Sequence, residues 1–137
     1  MKALGIDFGT KTIGLALSDP DQKIAFPFEN VPAHLALKRI RQLLVEEGIS
    51  QIIIGKPTNM KGQPTAMTQQ VEAFVTRLSS MVSVPIEYQD ERLTSALVGK
   101  VFQAHGISSR KSRPLKDAIE ASQILQSYLD KKIGTSK

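Results

Sequence analysis

Gly5-Ile6-Asp7-Phe8-Gly9-Thr10-Lys11-Thr12-Ile13-Gly14 decides how this 137-residue chain folds. Lys2 to Phe8 is too short and too glycine-marked for a helix. Thr12 to Ser18 resumes extended character after a Gly-Thr-Lys turn, so the stretch predicts a β-hairpin. Asp7 then stands near the end of the first strand, a carboxylate in an otherwise apolar run. A buried carboxylate left alone is costly, so it must be paired, protonated or bound to a cation. The plainer alternative is a turn-capping aspartate that accepts from the amides of Gly9 or Thr10.

Outward from the hairpin, Lys23 to Asn30 alternates Ile24, Phe26 and Phe28 and predicts a third strand, in which Pro27 suits only an edge or a bulge. Pro32 is expected to open a helix through Glu47, with Leu37, Ile40 and Leu44 as its apolar stripe and Gly48 as its stop. Gln51 to Gly55 contains three consecutive isoleucines, the pattern of a strand covered on both faces. A breaker-rich loop from Lys56 to Pro64 follows, at the end of a strand where α/β proteins commonly carry their sites. Thr65 can cap a helix carrying Met67, Val71, Phe74, Val75 and Leu78. Pro85 to Glu91 predicts a last strand, Leu93 to Ala104 a helix, and Pro114 the start of a final helix to about Lys132. Short links make the first three strands antiparallel, and helical crossovers make the later ones parallel. The expectation is one α/β sandwich domain over residues 1–137, built on a mixed sheet.

The absence of cysteine excludes a disulfide framework and thiolate metal sites. Eighteen Lys and Arg against 13 Asp and Glu give a net charge of +5, which favours a polyanionic partner. With no long apolar run and no leader pattern, a cytoplasmic protein without a membrane partner is expected. No segment carries a dimerisation signal.

Two further acid positions bear on Asp7. Asp90 and Glu91 end the late strand, where alternation sends one side chain up and the other down; Asp90 also reads as a helix cap. Asp117 lies in the first turn of the last helix, where a surface acid is ordinarily explained by the helix dipole. Yet Asp117, Ala121, Ile124, Leu125 and Tyr128 share one stripe, so the acid lies on the apolar face. Carboxylates from two strands and a helix suit hard cations such as Mg²⁺ or Mn²⁺, held singly or as a pair about 3.5–4 Å apart. Arg110, Lys111, Arg113 and Lys116 precede Asp117 closely and are candidate phosphate contacts, as are Arg92 beside Glu91 and Lys56 and Asn59 in the middle loop. A solvated charged loop is the alternative for the basic run.

These residues resemble those of the YqgF/RuvX family, in GIDFGTKTIGLALSD from Gly5, IIIGKPTNMKG from Ile52, DERLTS from Asp90 and RKSRPLKDAIEASQILQSYL from Arg110. The resemblance spans nearly the whole chain. It implies a ribonuclease H-like three-layer sandwich with a mixed five-stranded sheet flanked by helices. It also implies Asp7, Glu91 and Asp117 as catalytic and metal-binding acids, choosing Glu91 over Asp90. The activity implied is phosphodiester hydrolysis in structured RNA or branched DNA, as 5′-end processing of pre-16S rRNA in ribosome biogenesis or Holliday junction resolution. The family usually has an apolar residue and an acid where this chain has Lys56 and Lys61, and alanine where Glu120 and Ser122 stand. A noncatalytic nucleic-acid-binding module of the same fold is the rival. An ATPase- or kinase-like phosphate-binding hairpin ranks third, because such proteins need a second related domain.

Overall fold

The computed structural model describes residues 1–56, 66–90 and 116–135. β1 (Lys2–Asp7), β2 (Thr12–Ser18) and β3 (Ala25–Pro32) form the expected antiparallel meander. β4 (Ile49–Lys56) pairs parallel with β1, and β5 (Ile86–Asp90) parallel with β4. The resulting mixed five-stranded sheet has the order β3-β2-β1-β4-β5. Among the described residues three α-helices pack on it: α1 (Ala36–Glu46), α2 (Ala66–Ser79) and α3 (Lys116–Thr135). Among the described residues no helix is long and apolar enough to cross a membrane.

Pro27 meets both conditions set for it. It lies on the edge strand β3, and the register slips between Leu15, opposite Glu29, and Ala16, opposite Pro27, leaving Phe28 as the extra residue of a bulge. Pro32, by contrast, does not open the first helix. Its φ of −58° and ψ of 140° are extended, and it pairs with Thr12 as the last residue of β3. The amide of Ala33 continues the ladder to the Lys11 carbonyl at 2.8 Å, and a 3₁₀ turn, Ala33–Leu35, precedes α1. Pairing with β2 thus overrides the helix-opening preference of proline. Gly48 does end α1, at a φ of +65° that side chains other than glycine rarely adopt.

Strand alternation sorts the side chains into two layers. Leu4, Ile6, Ile13, Leu15, Ile52 and Ile54 face α1 and α2 and pack with Ile40, Leu43, Val71 and Leu78. The opposite face offers Ala3, Ala16 and Ile53 to Ala121, Ile124, Leu125 and Leu129 of α3. The isoleucine triplet therefore serves both layers, as a strand covered on two sides requires. On the α3 side, a Cβ at Gly5 would stand 2.8 Å from Leu125 Cβ and 2.9 Å from the Ala121 carbonyl oxygen. The helix lies close because the strand presents hydrogen where another residue would present carbon.

Candidate metal centre

β1, β4 and β5 are parallel, so their C-terminal residues Asp7, Lys56 and Asp90 arrive at one edge of the sheet. Asp7 shares its face of β1 with Ala3 and Gly5, two residues apart along the strand, and so points to the α3 side. At that edge α3 begins, and three contacts from β2 and β3 place its first turn. A Cβ at Gly14 would run into the Asp117 carbonyl, so glycine is what lets the backbones approach. Asn30 Oδ1 accepts from the Ala118 amide at 2.7 Å, satisfying a free donor of the helix start from a strand 88 residues earlier. The Thr12 hydroxyl donates to Asp117 Oδ2 at 2.5 Å.

Asp7, Asp117 and Glu120 converge as a result: one ligand oxygen from each lies within 4.8 Å of the others, and all three residues are half-buried. Three carboxylates offering only oxygen match hard divalent cations and could hold one. Asp7 and Asp117 thus meet as the sequence predicts. Glu120 is the member that sequence reading passed over. Its spacing from Asp117 is the overlooked signal, since residues three apart on a helix stand on one face.

Among the predicted substrate contacts, Lys116 is exposed at the start of α3, one residue before Asp117. The Lys56 ammonium lies 5.2 Å from the centroid of the Tyr88 ring, on the α1/α2 side of the same edge. Glu91, Asn59, Arg92, Arg110, Lys111 and Arg113 lie outside the described residues, as do the predicted cap at Thr65 and the helix from Leu93 to Ala104. Farther along α3, Tyr128 hydrogen-bonds the Glu87 side chain of β5; burial, that bond and the Glu87 charge push its phenol up to about 12.

A family model described as "RuvX: Holliday junction resolvase" matches residues 1–131. The chain belongs to the RuvX family. Its RuvX relatives include a protein of Chloroflexus aggregans, 35% identical, with 93% of this chain and 92% of the relative covered. Another, from Moorella thermoacetica, is 36% identical, with 96% of each covered. Both bear the name "Putative pre-16S rRNA nuclease". Among solved structures, Thermus thermophilus RuvC superposes with a TM-score of 0.60 at 15% identity, covering 98% of both chains. Fowlpox virus resolvase, in a complex with substrate Holliday junction DNA, gives 0.59 at 10% identity, covering 97% of this chain and 99% of that one. At these identities the likeness is one of fold, a mixed five-stranded sheet with helices packed on it.

Proposed function

We propose that the protein is a divalent-cation-dependent nuclease that hydrolyses phosphodiester bonds in structured nucleic acid, with pre-16S rRNA as its first candidate substrate and four-way DNA junctions as its second. The observation that carries this reading is the convergence of Asp7, Asp117 and Glu120 within 4.8 Å at the end of the sheet. The names borne by its RuvX relatives support the choice of rRNA precursor, and the family description supports the junction.

In this reading Asp7, Asp117 and Glu120 hold Mg²⁺ or Mn²⁺, joined by Glu91, which follows β5 in the sequence. The chemistry a divalent cation supplies in such a site is activation of water and stabilisation of charge on the phosphate. The chain's own part is to fix the acids. Thr12 holds one oxygen of Asp117 in a hydrogen bond and so sets the direction of the other. Gly14 and Asn30 hold the helix start against the sheet, so that Asp117 and Glu120 move as one unit relative to Asp7. Lys116 and, close to Glu91 and Asp117 in the sequence, Arg92, Arg110, Lys111 and Arg113 neutralise substrate phosphates, with Lys56 and Asn59 as further contacts.

The test is cleavage of a precursor rRNA fragment and of a four-way DNA junction by purified protein with Mg²⁺ or Mn²⁺. Asp7→Asn and Asp117→Asn should each lower the rate by at least about a hundredfold, as loss of about 3 kcal/mol of charge stabilisation requires. Mn²⁺ binding followed by calorimetry should weaken in the same variants and in Glu120→Gln. Nucleic-acid binding without metal-dependent cleavage by the wild type would leave the noncatalytic module as the better reading.

A further inference from the structure

Among the described residues Asp7, Asp117 and Glu120 converge on the α3 side of the sheet edge. On the other side of the same β1–β2 turn, facing α2, is a cavity of about 600 Å³. Its apolar wall is the Phe8–Phe74 pair, whose ring centroids are 5.3 Å apart. Lys11 enters it from the turn, His34 from the 3₁₀ turn after β3, and Gln70 and Arg77 from α2, where a spacing of seven puts both on one helix face. Lys11, His34, Gln70 and Arg77 are all exposed, and among the described residues no carboxylate lines the cavity.

Among the described residues the charge here makes no ion pair. Arg39, also on the α1/α2 side, is paired with Glu29 at 2.5 Å and with Glu46 at 3.6 Å. Among the described residues no carboxylate lies within 4.0 Å of the Lys11 or Arg77 cationic groups. Two cations without an ion pair among the described residues and two further hydrogen-bonding side chains around an open, partly apolar cavity are complementary to an anion with several acceptor oxygens. The turn ties this cavity to the acidic cluster: Phe8, Thr10 and Lys11 line the cavity, while Asp7 and Thr12 on either side of them belong to the cluster. A polyanionic strand crossing the turn would therefore reach both.

We propose that this cavity binds a phosphodiester group of the nucleic-acid strand next to the bond being cleaved, with Lys11 and Arg77 as its cationic contacts and His34 and Gln70 as further donors. The proposal rests on the nuclease reading for its ligand, and it adds a substrate-positioning site on the face of the sheet away from the acids. The two sites together make the enzyme hold a strand on both sides of the turn, which orients the target phosphate along the edge.

The experiment measures binding of a four-way DNA junction and of a structured precursor rRNA fragment in EDTA across a salt series, using the full chain. Lys11→Gln and Arg77→Gln should each weaken binding and reduce the slope of log K against log salt by about one unit, and the double variant by about two. Gln70→Glu, which keeps both cations but adds an anion to the cavity, should also weaken binding. Arg41→Gln removes a cation beside Ile49 and Val84 at the opposite edge of the sheet and should leave the slope unchanged. Thermal unfolding confirms that each variant is folded. Cleavage and binding by the wild type with slopes unchanged in Lys11→Gln, Arg77→Gln and the double variant would overturn this proposal alone. Binding that depends on Lys11 and Arg77 in a wild type that never cleaves would uphold the cavity and overturn the nuclease reading. Failure of the wild type to bind either probe would overturn both. A reduced slope with only one of the two nucleic acids would support the cavity and name the strand it takes.

Discussion

Toward α1 and α2 the central strands present Leu4, Ile6, Ile13, Leu15, Ile52 and Ile54, whereas toward α3 they present Ala3, Gly5, Gly14, Ala16 and one isoleucine, Ile53. Large side chains on the first face fill space between sheet and helices, and each fully buried one stabilises the fold by about 1.5–3 kcal/mol. Small residues on the second face contribute less burial but let α3 approach until backbone meets backbone. The difference separates two tasks. One face supplies stability through apolar volume, and the other supplies proximity, which brings carboxylates from a strand end and a helix start within 4.8 Å. Among the described residues a similar division runs through the sheet edge, with the Asp7, Asp117 and Glu120 cluster on the α3 side and Lys11 and Arg77, which make no ion pair there, on the α2 side.

The strongest test of this contrast removes volume from the stabilising face. Ile52→Ala deletes a fully buried side chain and should destabilise the protein by roughly 2–5 kcal/mol in urea unfolding. Mn²⁺ affinity of the folded fraction should stay near the wild-type value, because α3 does not rest on Ile52. A large loss of affinity would mean the two faces are not separable.

Adding volume to the proximity face should do the reverse. Gly14→Ala puts a methyl group against the Asp117 carbonyl, and the shift of α3 it forces should cost about 1–3 kcal/mol. Mn²⁺ binding should weaken by roughly tenfold or more, as expected when the support of a ligand is disturbed. Thr12→Val, which keeps the size but loses the hydrogen bond to Asp117, should weaken Mn²⁺ binding with little change in stability, and Thr12→Ser should restore it. Unaltered metal binding in Gly14→Ala would show that close packing does not set the site.

The smallest expected effect concerns the far end of the α3 face, where Tyr128 bonds Glu87. Its phenol binds a proton more tightly in the folded chain than its ordinary value of 10.0 allows. The contribution is therefore complete below pH 10 and is lost as pH rises through about 12. Tyr128→Phe should remove that part of the pH dependence, measured as denaturation midpoints over this window. An identical fall in wild type and variant would assign the alkaline loss to other groups.

Much of this was legible in the residues. The glycine-marked hairpin, the isoleucine triplet, the edge or bulge position of Pro27 and the placement of Asp117 on the apolar stripe all follow from side-chain period and backbone sterics. Pro32 misled because its preference for opening a helix is weaker than its pairing with Thr12, a partner 20 residues earlier. Glu120 escaped notice because its spacing from Asp117 becomes telling only once Asp7 arrives from the other end of the chain.

For the described residues, the sequence by itself determined the order of strands and helices, the sidedness of each strand and the presence of acids in half-buried positions, because these depend on neighbours within a turn or a strand. Only the tertiary structure decided which of the described carboxylates meet and which of the described cations make no ion pair among them. That outcome depends on how closely α3 approaches β1 and β2, and the approach is set by missing side-chain atoms at Gly5 and Gly14 and by the grip of Asn30 and Thr12 on the helix start. Contacts of this kind join residues about a hundred positions apart, where no local period can report them.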